Sequence, residues 1–234
     1  MKPIAIAQHD PHDGPAHFAV FLHRAGLPFR IFRLDQGDGL PASIRDYSGL
    51  CLLGGPMSVN DGLPYQAGQL ALIQEAMAAD LPVIGHCLGG QLMAKALGGR
   101  VTAAPAVEIG WSELELIDRA GARWFGGRER LSLFQWHNES FSIPSDGRWL
   151  LRGRHCANQA FSVGDKHLAM QFHVEVDAAK VRHWLDAGQD EIARSDSPGV
   201  QPVATLLADL DQAIEGSRRI ADDLYAAWIE GLAR

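Results

Sequence analysis

Cysteine is scarce in this chain and apolar runs of membrane length are missing. Only Cys51, Cys87 and Cys156 occur in 234 residues, an odd set with no C-x-x-C pair. That pattern argues against a disulfide framework and a cysteine zinc site, and it fits a reducing, cytoplasmic location. No apolar stretch approaches the ~20 residues of a membrane span. The start of the chain is apolar only from Pro3 to Ala7 before Gln8, His9 and Asp10, so it does not read as a signal peptide. Basic charge is also in short supply. With 21 Lys and Arg against 28 Asp and Glu, the formal charge is −7, which offers nothing to a nucleic acid or an anionic membrane. Internal repeats and low-complexity segments are absent as well. Apolar residues, by contrast, make up 47% of the chain, enough for a full core, and the length suits one large domain with or without an appendage.

Along the chain, short apolar runs at residues 3–8, 28–34, 50–53 and 82–85 read as strands. Residues 17–24 place Phe18, Phe21 and Leu22 at helical spacing and stop at Gly26; residues 66–79 and 88–97 read as further helices, the last closed by Gly98 and Gly99. Strands alternating with helices indicate an α/β fold with an open, mostly parallel, doubly wound sheet. From residue 100 to 172 the pattern changes to short alternating segments, such as 111–117, 131–136 and 149–154, expected as added antiparallel strands. Residues 177–194 read as helix and 195–202 as a loop. The chain thus divides into a main domain, 1–194, and a C-terminal helical extension, 195–234. The extension carries Val203, Leu206, Leu207, Leu210, Ala213 and Ile214 as an apolar stripe, continued by Ile220, Leu224 and Trp228. Its expected place is against its own domain, with a partner or homodimer surface as the alternative.

The most informative stretch is Gly85-His86-Cys87-Leu88-Gly89-Gly90-Gln91. An apolar strand ends at a cysteine with a glycine two residues to either side, and a helix follows at once. This is a nucleophile elbow, G-x-C-x-G in place of G-x-S-x-G, whose sharp turn leaves no room for flanking side chains. The N-terminus of the following helix favours a thiolate and can hold an oxyanion. Cys51, inside an apolar strand, reads as core, and Cys156 as structural or partly exposed.

A thiol nucleophile needs an imidazole held by a third group. Ten histidines are available, so context must select among them. Gln171-Phe172-His173-Val174-Glu175 ends an apolar strand in His-x-Glu, and residues two apart on an extended chain face the same side, so Glu175 can accept the His173 ring N–H. Alone, His-x-Glu would equally suit a metal-ligand pair or a surface. Below an upstream elbow it reads as base and orienter. His9, His12 and His17 fit no standard zinc spacing and read as a solvated loop. His86 should point away from Cys87, and His183 reads as a surface or packing residue.

Three ordered blocks, Leu53-Gly54-Gly55-Pro56-Met57-Ser58-Val59, the elbow, and Gln171-Phe172-His173-Val174-Glu175, resemble the class I (triad) glutamine amidotransferases. A weaker fourth block is Gln135-Trp136-His137-Asn138-Glu139-Ser140. The pattern looks most like the amidotransferase domain of GMP synthases and its free-standing relatives. The resemblance implies a flavodoxin-like fold and a hydrolysis that needs no metal or other cofactor. It implies that Cys87 attacks the γ-carboxamide of glutamine, His173 protonates the leaving ammonia, and Glu175 orients His173. Backbone N–H groups of Gly55 and Leu88 would form the oxyanion hole, and Gln91, His137, Asn138 and Glu139 would hold the amino-acid end of the substrate. Two departures stand out. The family's commoner His-Pro-Glu is His173-Val174-Glu175 here, and its His-Gly-Asp loop is His137-Asn138-Glu139, one methylene longer at the acid. After residue 176 there is no GxxxxGK[ST] phosphate loop and no room for a synthase domain. Ammonia would pass to a separate synthase partner or the reaction would be hydrolysis for its own sake.

Two chemistries share that triad: a free-standing glutamine amidotransferase, and a γ-glutamyl peptide hydrolase acting on glutathione-like compounds. Loops near residues 59–65 and 107–111 are expected to shape the pocket that separates them. A non-catalytic binding protein on the same fold is the reading from another class.

Overall fold

The apolar runs near the start of the chain become the centre of one sheet. A computed structural model describes residues 1–232. Strands β1 (Ile4–Gln8), β2 (Phe29–Arg33), β3 (Gly49–Leu52) and β4 (Val83–His86) alternate with helices α1 (Ala16–Arg24), α2 (Gln66–Ala78) and α3 (Leu88–Ala96). Two long strands follow, β5 (Val101–Leu116) and β6 (Arg130–Phe141), then β7 (Arg148–Arg152), β8 (Ala160–Val163) and β9 (His167–Met170). Helices α4 (Ala178–Ala187) and α5 (Gln189–Arg194), a short β10 (Gly199–Val200), α6 (Val203–Ala208) and α7 (Leu210–Ile229) complete the described chain. The order across the sheet is β10-β5-β7-β8-β9-β4-β3-β1-β2, with β6 paired to β5. From β2 to β9 the neighbours are parallel, and β9, β8, β7 and β5 continue antiparallel. The α/β fold expected from the alternation is the fold found.

Side chains of β1 show how the sheet separates two cores. Ile4 and Ile6 point to one face, where they meet Phe18 of α1 and Leu224, Tyr225 and Trp228 of α7. Ala5 and Ala7 point to the other, under Ile73 of α2 and Leu92 of α3. The period of two along a strand requires this division. A third cluster packs Val181 and Leu185 of α4, Leu206 of α6 and Ile214 of α7 on Ile109 and Phe134 of the β5–β6 ribbon. No helix among the described residues is long and apolar enough to cross a membrane.

Three local expectations are corrected. Residues 111–117 and 131–136 are not isolated short strands but parts of one ribbon whose first strand runs 16 residues. Its register shifts between Ala103 and Glu108, and that irregularity breaks the alternation by which a long strand is recognised. Residues 177–194 form two helices, broken at Gly188, where a Cβ would lie 2.3 Å from the Trp136 ring. The loop 195–202 contains β10, which pairs parallel to β5 at Glu108 and Ile109; Pro198 and Pro202 on either side conceal so short an edge strand.

Helix α7 closes one face with aromatic rings. Tyr225 and Trp228 lie 4.7 and 5.8 Å from the Phe18 ring, centroid to centroid, and Trp228 is fully buried. Trp228→Ala should cost about 3–5 kcal/mol through the cavity it leaves, read as a lower denaturant midpoint in equilibrium unfolding.

Candidate active site

Strand β4 ends at His86 and α3 begins at Leu88, which leaves Cys87 alone to make the turn at φ 48° and ψ −106°. A non-glycine residue held there costs about 1–3 kcal/mol, strain that persists only where the surroundings enforce it. They do. A Cβ at Gly85 would lie 2.5 Å from the Gly89 backbone, one at Gly89 2.2 Å from the Leu52 carbonyl oxygen, and one at Gly90 2.3 Å from the Met170 carbonyl oxygen. His86 points away from the turn, as expected, pairing through Nε2 with the Tyr225 hydroxyl at 3.1 Å. Burial holds its ring below the ordinary imidazole pKa.

The His-x-Glu pair lies just beyond β9 rather than inside it, in a segment tied to the ribbon by the His173 N–H donating to the Phe134 carbonyl at 2.8 Å. His173 Nδ1 and Glu175 Oε1 are 2.8 Å apart. The His173 ring and the Cys87 side chain line the same cleft. Trp184 of α4 packs edge-on against it at 4.8 Å. Burial alone would depress the imidazole, but the charges of Glu175 and Cys87 outweigh it and raise His173 to about 10. Burial would likewise raise Glu175, yet Lys180 and His173 hold it well below the carboxylate range. Lys180 was not singled out in the sequence. Its Nζ reaches Glu175 Oε1 at 3.1 Å, the Gly14 carbonyl at 2.9 Å and the Asp13 carboxylate. Gln171 Nε2 approaches Cys87 Sγ at 3.6 Å.

Across the cysteine lies the Gly54-Gly55 segment. A Cβ at Gly55 would come within 3.2 Å of Leu88 Cδ2, so the two residues are neighbours in space. Leu88 opens α3, and its N–H is among those a helix cannot pair internally. His9 fixes this segment: its Nδ1 is 3.1 Å from the Gly54 carbonyl, and Nε2 is 2.6 Å from Gln69 Nε2. Burial lowers its pKa and favours the neutral ring, which can donate at one nitrogen and accept at the other. The solvated loop expected for the early histidines is therefore wrong for His9 and His17, which are buried, the latter against Asp222 of α7. Only His12 is exposed, and it stacks at 4.1 Å on His183, so the latter belongs to the site's rim.

A cleft of about 960 Å³ opens over Cys87, bounded by Gln91, Glu139, His173, Trp136 and Trp184. Gln91 Nε2 contacts the Glu139 carbonyl and Gln171 Oε1, each at 3.3 Å. His137, Asn138 and Glu139 lie within β6, not in a loop, because β5 supplies a pairing partner that their polar sequence conceals. The His137 ring is buried between Glu108 Oε2 and the Glu139 carbonyl, at 3.0 Å from each, so it braces the wall, while Asn138 is exposed and Glu139 half-buried. Asp61 lines the cleft from segment 59–65, whereas residues 107–111 belong to β5 and do not line it. Cys156 is buried, with Sγ 3.0 Å from Ser140 Oγ, and Cys51 is core; burial raises both thiols. Two groups bring ligand-type atoms within 4.8 Å of one another, Asp13, His173 and Glu175, and Glu108, His137 and Cys156. In the first a cation would compete with the Lys180 ammonium for the same oxygens.

Residues 22–185 match the family model described as glutamine amidotransferase class-I. A glutamine amidotransferase of Methylobacillus flagellatus, known as a crystal structure, superposes with a TM-score of 0.98 at 46% identity, covering 100% of this chain and 96% of that one. The glutamine amidotransferase-like protein YfeJ of Salmonella typhimurium is 28% identical over 94% of this chain and 95% of its own. One subunit of the glutamine-hydrolysing GMP synthase of Methanothermobacter thermautotrophicus is 30% identical over 64% of this chain and 77% of its own.

Because His173 is raised to about 10, its protonated form stabilises the folded chain, fully below the unfolded pKa near ~6.5 and progressively less as pH climbs through the folded value. The margin by which the native chain's unfolding free energy exceeds that of His173→Gln should therefore be largest near pH 6 and decline toward pH 10, measured by denaturant titration at each pH.

Proposed function

The chain belongs to the class I glutamine amidotransferases, and on that premise we propose that it hydrolyses a γ-glutamyl amide with Cys87, His173 and Glu175 as its catalytic triad. The observation that carries this reading is a cysteine held at a strained strand-to-helix turn beside an imidazole that Glu175 orients at 2.8 Å. The Cys87 thiolate attacks the γ-carbonyl carbon, and the oxyanion that forms is held by the N–H groups of Gly55 and Leu88. His173 gives its proton to the departing nitrogen, the C–N bond breaks, and ammonia leaves a γ-glutamyl thioester on Cys87. His173, now neutral, takes a proton from water as the water attacks the thioester; glutamate departs and the thiol is restored. Gln91 and Glu139 hold the amino-acid end of the substrate, with Asn138 beside them and His137 fixing the strand that presents Glu139.

Glutamine is the substrate proposed first, its ammonia passing to a separate synthase in the cytoplasm, since the similar GMP synthase subunit is by its name one part of a glutamine-hydrolysing synthase. Residues 1–194 would carry the chemistry, with 195–234 as a helical extension packed on the same domain and a homodimer as its alternative use. One observation favours the second reading, a γ-glutamyl peptide hydrolase. The cleft of about 960 Å³ lies near the top of the ~300–1,000 Å³ range that encloses drug-sized ligands, ample for a leaving group larger than ammonia.

Purified protein incubated with glutamine, and separately with glutathione and other γ-glutamyl peptides, should release glutamate from at least one of them. Cys87→Ala should abolish release and His173→Ala should reduce it by about 10³-fold or more. Preference for glutamine would establish the amidotransferase reading, and preference for peptides the hydrolase. Turnover that survives Cys87→Ala would sink both.

A further inference from the structure

A lysine buried beneath a catalytic carboxylate needs a reason, because an ammonium ion loses its hydration there. Lys180 is such a residue. It lies on the first turn of α4, whose N-cap Asp177 accepts the Lys180 backbone N–H at 2.8 Å, and its side chain turns inward under Trp184 with Nζ 4.8 Å from the ring centroid. There the ammonium meets Glu175 Oε1, the Asp13 carboxylate and the Gly14 carbonyl. Glu175 Oε1 thus serves His173 Nδ1 and Lys180 together, while its buried Oε2 has no hydrogen-bond partner among the described residues. On the far side, Asp13 Oδ2 and His173 Cε1 crowd the same point, 2.3 and 2.8 Å from where a Gly54 Cβ would stand.

We propose that Lys180 is a positioning residue of the triad, a fixed cation that keeps the two buried carboxylates Asp13 and Glu175 ionised side by side so that Glu175 can orient and charge His173. The proposal rests on the catalytic reading above. Two carboxylates this near cannot both remain ionised in a dry site without a counter-charge. Glu175 accordingly owes its low pKa first to Lys180 and then to His173, against burial. The other titratable groups that face it are His86 of β4, Cys51 of β3 and Tyr225 of α7, and none is a permanent cation. Without the ammonium a proton would settle on the carboxylate pair, with Glu175 Oε2 open to receive it. His173 would then lose the charge that stabilises its protonated form, and Cys87 the cation that faces it across the cleft.

The test follows the rate of Cys87 alkylation by iodoacetamide against pH, a readout that needs no substrate, in the native chain and in Lys180→Met, Lys180→Arg and Asp13→Asn/Lys180→Met. Mass spectrometry assigns the modified cysteine. The acid limb of the profile should move up by about one pH unit or more in Lys180→Met, a tenfold loss of rate on that limb. It should stay near its native position in Lys180→Arg, and return toward it in the double variant, where one carboxylate has been removed with the cation. A limb that does not move in folded Lys180→Met, or that the double variant fails to restore, would overturn the proposal. If Lys180→Met does not fold, folding of the double variant supports charge balance, and its failure assigns Lys180 to packing and overturns the role. Absence of turnover on every γ-glutamyl amide would count against the catalytic reading while leaving the alkylation profiles to decide on Lys180.

Discussion

Strand β4 hands the chain to α3 with one residue between them, and the space at that join is smaller than a methyl group. Leu52 and Met170, on the strands to either side, bring their carbonyl oxygens to the positions a Cβ of Gly89 or Gly90 would occupy. The helix can therefore sit tightly over the sheet only if its first turn is bare. Once it does, Cys87 has one place to go, a backbone conformation that it would leave if either neighbour relaxed. Much of the site follows from this contact. The helix N-terminus, the glycine segment from β3 and the segment after β9 all converge on the thiol because the strands that carry them flank β4.

Charge at the site is arranged in depth rather than at the surface. Behind Cys87 the order is imidazole, carboxylate, ammonium, carboxylate, alternating in sign from His173 through Glu175 and Lys180 to Asp13. Each member would be costly to bury alone, and each contacts a neighbour of opposite sign. Asp13 also borders the Gly54 segment, whose carbonyl is held from another direction. His9 contacts the Gly54 carbonyl, Gln69 contacts His9, and burial disfavours protonation of the ring between them.

What could be read from the sequence divides along physical lines. The elbow was legible because all its constraints lie within a few residues, with the glycines recording the crowding directly. The contact between His173 and Glu175 was legible for the same reason, the two being two apart, although the chain there is held by separate hydrogen bonds to Gln159, Phe134 and His17 rather than by a regular strand. Lys180 was not, since its partners at Asp13 and Gly14 lie on the far side of the sequence and a lysine on the first turn of a helix ordinarily points to solvent. Glu108 was hidden by the register shift in β5, which makes a lone charged residue in an apolar stretch the buried acceptor for His137 and Gln159. The burial of His9 could have been suspected from its place at the end of an apolar strand, a stronger local signal than its nearness to other histidines.

The hydrogen bond between Tyr225 and His86 joins α7 to the residue next to Cys87. Cys87, His173, Glu175 and the glycine frame all precede α7 in the chain. On that face the His86 ring lies 6.0 Å from both the Phe18 ring of α1 and the Tyr225 ring of α7, centroid to centroid. Burial of the residue before Cys87 thus depends on a side chain 139 positions further along the chain, so the thiol's surroundings are completed at long range rather than by the elbow alone.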